Sequence, residues 1–307
     1  MIKKFKVDIP DKKISYIMDK VKNYPWKSIK DLKNWDHGTN LTYLKELSNY
    51  WLNEFQWKKH EDIINSFSNF KTKVEGMDIH FIKEEGSGTN PKPLLLMHGW
   101  PGSIIEFTKI INQLAHPEKF GGEAEDGLTV IAPSLPGFGF SECPKEPMGP
   151  RKIAEVLNQM MVENLKYKNY VAQGGDWGAT IANWLGYDHS KNCKSIHINC
   201  LTMRLPDGTQ NEDERHWIEK FDNDQIIQDG YRTQQGTKPQ TLGYAMMDSP
   251  VGVAAWILEK MHGWSDLKDN DIESVYSKEI LLANIMIYLV TDTFSTSTWI
   301  YYGRREE

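Results

Sequence analysis

The stretch Gly174-Gly175-Asp176-Trp177-Gly178 decides how the rest of this 307-residue chain is interpreted. It follows a short apolar run, Tyr170-Val171-Ala172, and precedes a stretch of helical character from Ala179 to Tyr187. A Gly-x-nucleophile-x-Gly string between a strand and a helix forms a turn so sharp that glycine is needed on both sides of the central residue. The pattern therefore predicts that Asp176 is displayed as a nucleophile at the end of a strand.

The central residue of such a turn is usually serine, and aspartate changes the expected chemistry. A serine hydroxyl needs a base to activate it and typically attacks an acyl carbon. An aspartate carboxylate, with an ordinary pKa of about 3.9, is already ionised at neutral pH. It suits attack on a saturated carbon that carries a leaving group, which forms an ester with the enzyme. Taken alone the string is weak evidence, because a loop aspartate between glycines is more often a turn residue.

A second stretch, His98-Gly99-Trp100-Pro101-Gly102-Ser103, supports the catalytic interpretation. It follows an apolar run, Leu94 to Met97, that is typical of a strand buried on both faces of a parallel sheet. In folds with such a turn, this loop supplies one backbone N–H of an oxyanion hole, and the residue after the nucleophile supplies the other. We therefore predict the N–H groups of Trp100 and Trp177 as donors, each worth about 2.7–4 kcal/mol.

Composition excludes several other functions. The hydrophobic content of 39% fits a globular protein with a core, and the net charge of -6 leaves no basic surface for nucleic acid. The three cysteines, Cys143, Cys193 and Cys200, show no metal spacing and predict neither a disulfide framework nor a cofactor, so we expect a cytoplasmic protein. We expect no signal peptide or N-terminal membrane anchor, because no apolar run follows Lys3 and Lys4. We also expect no membrane-spanning segment, because the longest apolar run, Ile280 to Val290, is interrupted by Asn284.

Three segments differ in their hydrophobic pattern. The first has helical stripes, at Ile14 to Val21 and Leu41 to Trp57, and then two strands that meet at a turn. The second alternates strands with helices, among them helices predicted from Ser103 to Leu114 and from about Arg151 to Lys166. This alternation predicts a doubly wound, mostly parallel sheet with right-handed crossovers. The third is helical throughout and is typical of a lid inserted over a pocket. The predicted bounds are 1–90 for the N-terminal layer and first strands, 91–200 for the core, and 201–307 for the lid and the start of the C-terminal core.

These motifs together resemble the epoxide hydrolases of the microsomal type, which have an α/β-hydrolase core preceded by an N-terminal meander. The resemblance covers nearly the whole chain. Besides the two glycine-rich turns, it rests on a meander-like region and three lid segments: Trp51 to Phe81, Gly230-Tyr231 with Gln234 and Thr237-Lys238-Pro239, Asp248 to Gly252 with Trp256-Ile257-Leu258-Glu259-Lys260, and Ser297 to Tyr302.

The resemblance implies an epoxide hydrolase that acts in detoxification. Asp176 would form an ester with an apolar epoxide, and water would release a vicinal diol. It also implies two lid tyrosines, Tyr231 and Tyr301, with Tyr302 as the alternative to the latter. A phenol suits this role because ring opening leaves an alkoxide that needs a proton. A homodimer is left open.

The chain departs from the family pattern after the second tyrosine. A histidine that activates water and an acid that orients it follow that point in the family, whereas only Gly303 to Glu307 follow here. We therefore interpret the sequence as truncated, with the last strands missing and with an open apolar edge at Ser195 to Asn199. We expect the chain to form the ester at Asp176 but not to release diol.

Two other functions remain open at this point. A haloalkane dehalogenase also uses Asp followed by Trp, but a halide leaves without a proton and needs N–H donors instead of phenols. A non-catalytic homologue could keep the pocket for an apolar ligand. Five lid residues are candidates for lining an apolar pocket, although a core role is at least as common for such side chains: Trp217, Phe221, Met246, Met247 and Trp256.

Overall fold

The computed structural model describes residues 1–200, 208 and 211–307. The first residues of the predicted lid, 201–207 together with 209 and 210, lie outside this description, and the predicted division at 90 and 200 stays a prediction. One sheet contains the seven strands of the described chain: β1 (Ile2–Lys4), β2 (Asn69–Val74), β3 (Met77–Glu84), β4 (Lys92–Met97), β5 (Leu128–Pro133), β6 (Tyr170–Gly174) and β7 (Cys193–Ile198).

The order of the strands across this sheet is β1-β2-β3-β5-β4-β6-β7. The pairs β1–β2, β2–β3 and β3–β5 are antiparallel, and β5–β4, β4–β6 and β6–β7 are parallel. The sheet is therefore mixed, with β2, β4, β5, β6 and β7 pointing the same way. Because β4 and β6 are parallel neighbours, with Met97 opposite Gly174, the loops that leave their carboxyl ends start side by side. That register brings the two glycine-rich turns together.

Helices pack against the sheet and against one another. Three precede the core: α1 (Asp11–Lys22), α2 (Leu41–Asn53) and α3 (Trp57–Asn65). Three lie between the core strands: α4 (Ile111–Ala115), α5 (Pro150–Gln159) and α6 (Trp177–Asp188). Seven follow: α7 (Glu212–Gln228), α8 (Gly230–Thr237), α9 (Pro239–Met246), α10 (Pro250–Gly263), α11 (Lys278–Val290), α12 (Phe294–Ser297) and α13 (Trp299–Glu306).

Two predicted helices differ in the structure. The segment from Ser103 to Leu114 forms a 3₁₀ turn, Ile104–Phe107, and then the short α4. The segment from Arg151 to Lys166 begins with Pro150 at its first turn, where proline needs no partner for a backbone N–H, and ends in a π-helical turn, Met160–Asn164. A further difference is α3, which starts where the predicted second helix was expected to end.

The N-terminal helices are joined to α11 by polar contacts across the interface. Glu279 of α11 accepts a hydrogen bond from the Tyr50 hydroxyl at 2.8 Å, and its other oxygen lies 2.7 Å from Nε2 of His60. His60 is 6% exposed and stacks on Phe55, so its contact with Glu279 lies inside the interface. The N-terminal layer thus fixes the helices that carry side chains to the site.

Strand β7 is the edge of the described sheet. Four of its residues, Lys194 to His197, are exposed, and Ile196 at 37% is the large apolar side chain among them. The expected edge at this strand is therefore present in the described sheet, and three of its four exposed residues, Lys194, Ser195 and His197, are polar.

No single helix among the described residues is long and apolar enough to cross a membrane. One pair of helical segments is together long and apolar enough, judged by length and composition only: Lys278–Val290 and Phe294–Glu306, which meet at a bend of 102°.

Candidate active site

The turn between β6 and α6 places Asp176 at the carboxyl end of the sheet. β6 ends at Gly174 and α6 begins at Trp177. Asp176 has a φ of 50° and a ψ of -125°, a conformation that costs a residue with a side chain about 1–3 kcal/mol. Such strain persists only where the surroundings fix it, and here a Cβ at Gly174 would overlap the backbone of Gly178. The close approach of strand and helix therefore requires the flanking glycines.

The loop after β4 contacts the Asp176 carboxylate through its backbone. The N–H of Trp100 donates a hydrogen bond to Oδ1 of Asp176 at 2.7 Å. Gly99 precedes it, and a Cβ there would collide with the same carboxylate. The loop can approach so closely only because it presents main chain and no side chain at this position.

Burial is the main influence on the Asp176 carboxyl group. It raises the pKa of Asp176 to about 6, while the backbone N–H groups of Trp177 and Trp100 act in the opposite direction. The residue is exposed through an opening, yet protein atoms surround its carboxyl group densely, as expected at the bottom of a concave site. At pH 7 such a group is ionised by about ten to one, and it lacks most of the bulk water that surrounds a surface carboxylate.

Tyr231 and Tyr301 meet in an aromatic cluster beside Asp176. Their ring centroids are 5.6 Å apart at 83°. The Tyr231 ring stacks on Trp100 with centroids 5.5 Å apart at 11°, and the Tyr301 ring stands edge-on to Trp177 at 4.8 Å. The helices α8 and α13 that carry the two tyrosines pack against each other. The lid thus places both phenols against the two tryptophans whose N–H groups face the carboxylate.

The pKa values of both phenols respond to the charge of the Asp176 carboxylate. Burial raises the pKa of Tyr231 to about 12 and the pKa of Tyr301 well above its ordinary value, and the charge of Asp176 adds to both shifts. The two phenols also act on each other: the Tyr301 hydroxyl lowers the pKa of Tyr231, and the Tyr231 hydroxyl raises the pKa of Tyr301. Both phenols therefore stay protonated near neutral pH. Tyr302, the alternative in the sequence, is half-buried and has no ring contact with this cluster within the described chain.

Glu106 is a second carboxyl group near Asp176, and it lies outside the sequence motifs that predict the site. Burial raises the pKa of Glu106 to about 8, and the charge of Asp176 raises it further, while the backbone N–H of Ser103 lowers it. Like Asp176, Glu106 is exposed at an opening and yet densely surrounded. A sequence signal did exist, because Ser103 and Glu106 have the spacing of a capping box at the start of a helical turn.

Helix α11 fixes the loop that carries Trp100. The Asn284 amide donates to the carbonyl of Pro101 at 2.6 Å and accepts from the Ser103 hydroxyl at 2.8 Å, and the Tyr288 hydroxyl donates to the carbonyl of Gly102. These buried hydrogen bonds explain why a polar residue, Asn284, interrupts the apolar run of α11.

His98, the first residue of this loop, helps to hold the loop backbone in place. Its Nε2 accepts a hydrogen bond from the backbone N–H of Leu135 at 3.2 Å, so Nδ1 carries the proton and donates to the carbonyl of Gly99 at 3.0 Å. Burial lowers the pKa of His98 to about 4, which keeps the ring neutral. His98 thus supports the backbone that faces Asp176.

The histidines that follow Asp176 in the sequence lie in other surroundings. His262 stacks on Trp35 with centroids 3.9 Å apart, and His197 is on the exposed strand β7. Among the residues that the structure describes, no histidine forms a hydrogen bond or an ion pair with Asp176.

A cleft of about 1130 Å³ opens between the N-terminal layer and the lid, and Tyr231 forms part of its wall. Of the five predicted pocket residues, Trp256 lines this cleft. Met246 and Met247 line a separate small cavity, and Trp217 is 55% exposed and stacks on Phe221. The wall of this cleft also includes four charged residues: Asp36, Glu259, Lys260 and Asp266.

Comparison with known proteins identifies the family. The model of the epoxide hydrolase N terminus matches residues 2–107, and the model of the α/β hydrolase fold matches residues 92–242. Epoxide hydrolase 1 of Oryctolagus cuniculus is 36% identical over 328 aligned positions, which cover 98% of this chain and 72% of that protein. The chain belongs to the epoxide hydrolase family.

Solved structures of epoxide hydrolases have the same fold. Juvenile hormone epoxide hydrolase from Bombyx mori superposes with a TM-score of 0.87 at 29% identity, covering 99% of this chain and 77% of that one. The epoxide hydrolase of Aspergillus niger gives 0.86 at 28% identity, covering 98% and 78%. The predicted family, its enzyme class and its α/β-hydrolase fold are confirmed by these matches.

Proposed function

We propose that this epoxide hydrolase opens an apolar epoxide by attack of Asp176 on a ring carbon. One carboxylate oxygen forms a bond to that carbon while the bond from the carbon to the epoxide oxygen breaks, and the epoxide oxygen takes a proton from a phenol. The product of this step is a hydroxyalkyl ester of Asp176. Addition of water to the ester carbonyl would release the vicinal diol and restore the carboxylate, but we expect this second step to be slow because no described histidine contacts Asp176.

The observation that carries this proposal is the 2.7 Å hydrogen bond from the Trp100 N–H to Oδ1 of Asp176. It holds one carboxylate oxygen and leaves the other to react. After attack, the same donor, together with the N–H of Trp177, faces the ester carbonyl oxygen, where negative charge grows when water adds. Each such donor is worth about 2.7–4 kcal/mol at comparable sites.

The phenols supply the proton and the orientation. Tyr231 and Tyr301 stay protonated at neutral pH because burial and the Asp176 charge raise the pKa of each. The Tyr301 hydroxyl lowers the pKa of Tyr231, which favours release of the Tyr231 proton. We propose that Tyr231 transfers the proton to the epoxide oxygen while Tyr301 holds that oxygen by a hydrogen bond.

An aryl epoxide such as styrene oxide tests this function directly. The chain is incubated with it in molar excess, and the intact protein mass and the peptide map are recorded. We expect one adduct per chain, located on Asp176. An adduct on a cysteine, or none while the epoxide remains unconsumed, would contradict the proposal.

A second candidate is haloalkane dehalogenation, which needs N–H donors for the leaving halide. The indole Nε1 atoms of Trp100 and Trp177 are both buried without an acceptor in hydrogen-bond geometry. The Trp177 indole also lowers the pKa of Tyr301, so its N–H lies near that hydroxyl without completing a bond. Tyr231→Phe separates the two functions, because it removes the proton needed by an alkoxide but not by a halide.

A further inference from the structure

Lys260 of α10 is a buried cation beside Tyr231. It is 4% exposed, and its Nζ lies 4.9 Å from the centroid of the Tyr231 ring. We propose that Lys260 is a positioning residue that holds the Tyr231 ring in the orientation required for proton transfer. This inference rests on the proposed function only for the role of Tyr231 as the proton donor to the epoxide oxygen. The placement of the ring by Lys260 is a separate claim with its own measurement.

The surroundings of the Lys260 ammonium are polar on one side and aromatic on the other. Glu259 lies 2.7 Å away, and the carbonyl of Gln228 accepts at 3.5 Å. The aromatic side consists of Tyr231 and of Trp264, whose ring centroid is 5.7 Å from Nζ. Cations are attracted to aromatic faces at such distances. Lys260 therefore attracts the two rings and is itself held by its ion pair.

Stability alone does not account for this arrangement. Removing an ammonium group from water costs free energy that an ion pair only partly returns, so replacing a buried pair with apolar side chains is often neutral or stabilising. A cation at this position therefore points to a requirement for specific orientation. The side chain it contacts is the phenol to which the proton transfer is assigned.

The contacts of Tyr231 show what would be lost without Lys260. Trp264 packs against Tyr231 with centroids 4.9 Å apart at 59°, and Trp100 stacks on it at 11°. The backbone N–H of Trp100 in turn binds Asp176. One continuous set of contacts thus runs from Lys260 through Tyr231 and Trp100 to the nucleophile. If Lys260 loses its charge, the ring keeps its apolar neighbours but loses the only directional attraction contributed by α10 among the described contacts.

Lys260 acts through Tyr231 because it does not reach the substrate itself. It lines the wall of the cleft, yet its side chain is 4% exposed and its ammonium is occupied by Glu259. Direct binding of an epoxide oxygen would require the ammonium to leave that carboxylate. We therefore expect Lys260 to affect the rate of ring opening more than the affinity for the epoxide.

The first experiment measures ring opening in a single turnover. Styrene oxide is mixed with excess protein and its disappearance is followed, so that the later fate of the ester does not matter. Lys260→Met should lower the limiting rate about 10- to 100-fold, as small displacements of a reacting group do, and change the half-saturating protein concentration less than about threefold. Lys260→Arg should restore part of the rate, because guanidinium also stacks on aromatic rings.

A matched control exists elsewhere in the chain. Lys278 lies 5.9 Å from the centroid of the Tyr43 ring and forms an ion pair with Glu273 at 2.6 Å. Lys278→Met therefore removes the same kind of contact from a tyrosine outside the cluster, and its rate should equal that of the parent chain. Should Lys260→Met fail to fold, the double change Lys260→Met with Glu259→Gln removes both charges and avoids leaving the half-buried Glu259 carboxylate without its partner.

The second experiment observes the ring without any substrate. 3-Fluorotyrosine at position 231 gives a ¹⁹F signal whose shift and width report the ring environment. We expect Lys260→Met to shift and broaden that signal and Lys278→Met to leave it unchanged. An unchanged signal together with an unchanged rate in Lys260→Met would overturn the inference. If the parent chain opens no epoxide, the proposed function fails, and the ¹⁹F result alone decides the role of Lys260.

Discussion

The turn around Asp176 and the lid around Tyr231 place their side chains in two different ways. Asp176 is fixed by the main chain, through a positive φ, flanking glycines and the N–H of Trp100. Tyr231 is fixed by side chains from other segments, namely Trp100, Trp264 and Lys260. The first arrangement is local in sequence and intolerant of added atoms, whereas the second is distributed over the fold and depends on packing.

The largest effect should come from the nucleophile itself. Asp176→Asn removes the charge and keeps the shape, so formation of the ester should fall by at least about 10⁴-fold, since an amide does not attack a ring carbon. Intact-protein mass after incubation with styrene oxide measures this. A comparable adduct on Asp176→Asn would place the reaction on another residue.

The fate of the ester tests the second half of the reaction. Because no described histidine contacts Asp176, we expect the adduct of the unaltered chain to persist for longer than the time needed to form it. Release of diol over many turnovers, measured by chromatography, would show that another group activates water. Glu106, with its pKa raised to about 8, is the first residue to replace in that event.

A pair of glycine substitutions compares the two regions directly. Gly99→Ala puts a methyl group against the Asp176 carboxylate, so ring opening should fall about 100-fold. Gly230→Ala, at the residue before Tyr231, has open space around the added Cβ and should leave the rate unchanged. Because alanine favours a helix over glycine, Gly230→Ala should also raise stability by about 0.5–1 kcal/mol, measured by urea unfolding. Equal losses of rate in both variants would show that the lid is as constrained as the turn.

The two phenols should differ in the size of their effects. Tyr231→Phe should slow ring opening by about 10²- to 10⁴-fold, the usual loss for a general acid. Tyr301→Phe should cost less, because it removes a hydrogen bond and not the transferred proton. Single-turnover rates with styrene oxide give both values. A larger loss in Tyr301→Phe would exchange the roles assigned to the two residues.

The smallest expected effect is on how protein stability depends on pH, and it follows from the raised pKa of Asp176. In the folded protein the pKa is about 6, above the ordinary 3.8. The unfolded chain thus ionises first, and the stability associated with the protonated group is lost as the pH rises through about 6. Relative to the parent chain, Asp176→Asn should therefore melt at a higher temperature at about pH 8 and show no gain at about pH 4. We expect the difference to be modest because solvent reaches this residue.

The rate of ester formation should follow the same ionisation in the opposite sense. It should rise with pH through about 6 and then level off, because only the carboxylate attacks. A rate that does not change between about pH 5 and pH 8 would show that Asp176 keeps an ordinary pKa.

Sequence patterns anticipated the main-chain features well and the side-chain packing poorly. The strand-turn-helix around Asp176 and the Gly99-Trp100 loop are continuous in sequence, so local spacing was enough to suggest both. Tyr231 and Tyr301 came only from resemblance to a family, because a tyrosine on a helix shows no local sign of what it faces. Their catalytic roles stay predictions, as do those of Asp176, Trp100 and Trp177.

Other residues of the site could not be found from the sequence. Asn284 appeared only as an interruption of an apolar run, whereas the structure shows it bonded to Pro101 and Ser103. Lys260 was part of a family-like segment, with no indication that its ammonium is buried against Tyr231. Both contacts join segments far apart in the chain, and local spacing carries no information about such pairs.

The sequence by itself predicted Asp176 as the nucleophile and determined its glycine neighbours and the alternation of strands and helices, because steric limits on the backbone act over a few residues. The tertiary structure decided which N–H reaches the carboxylate, which phenols stand beside it and which cation holds one of them. Those facts depend on the register of β4 against β6 and on how the lid helices pack. Only the folded chain contains that information, since it arises from contacts between segments that are distant in sequence.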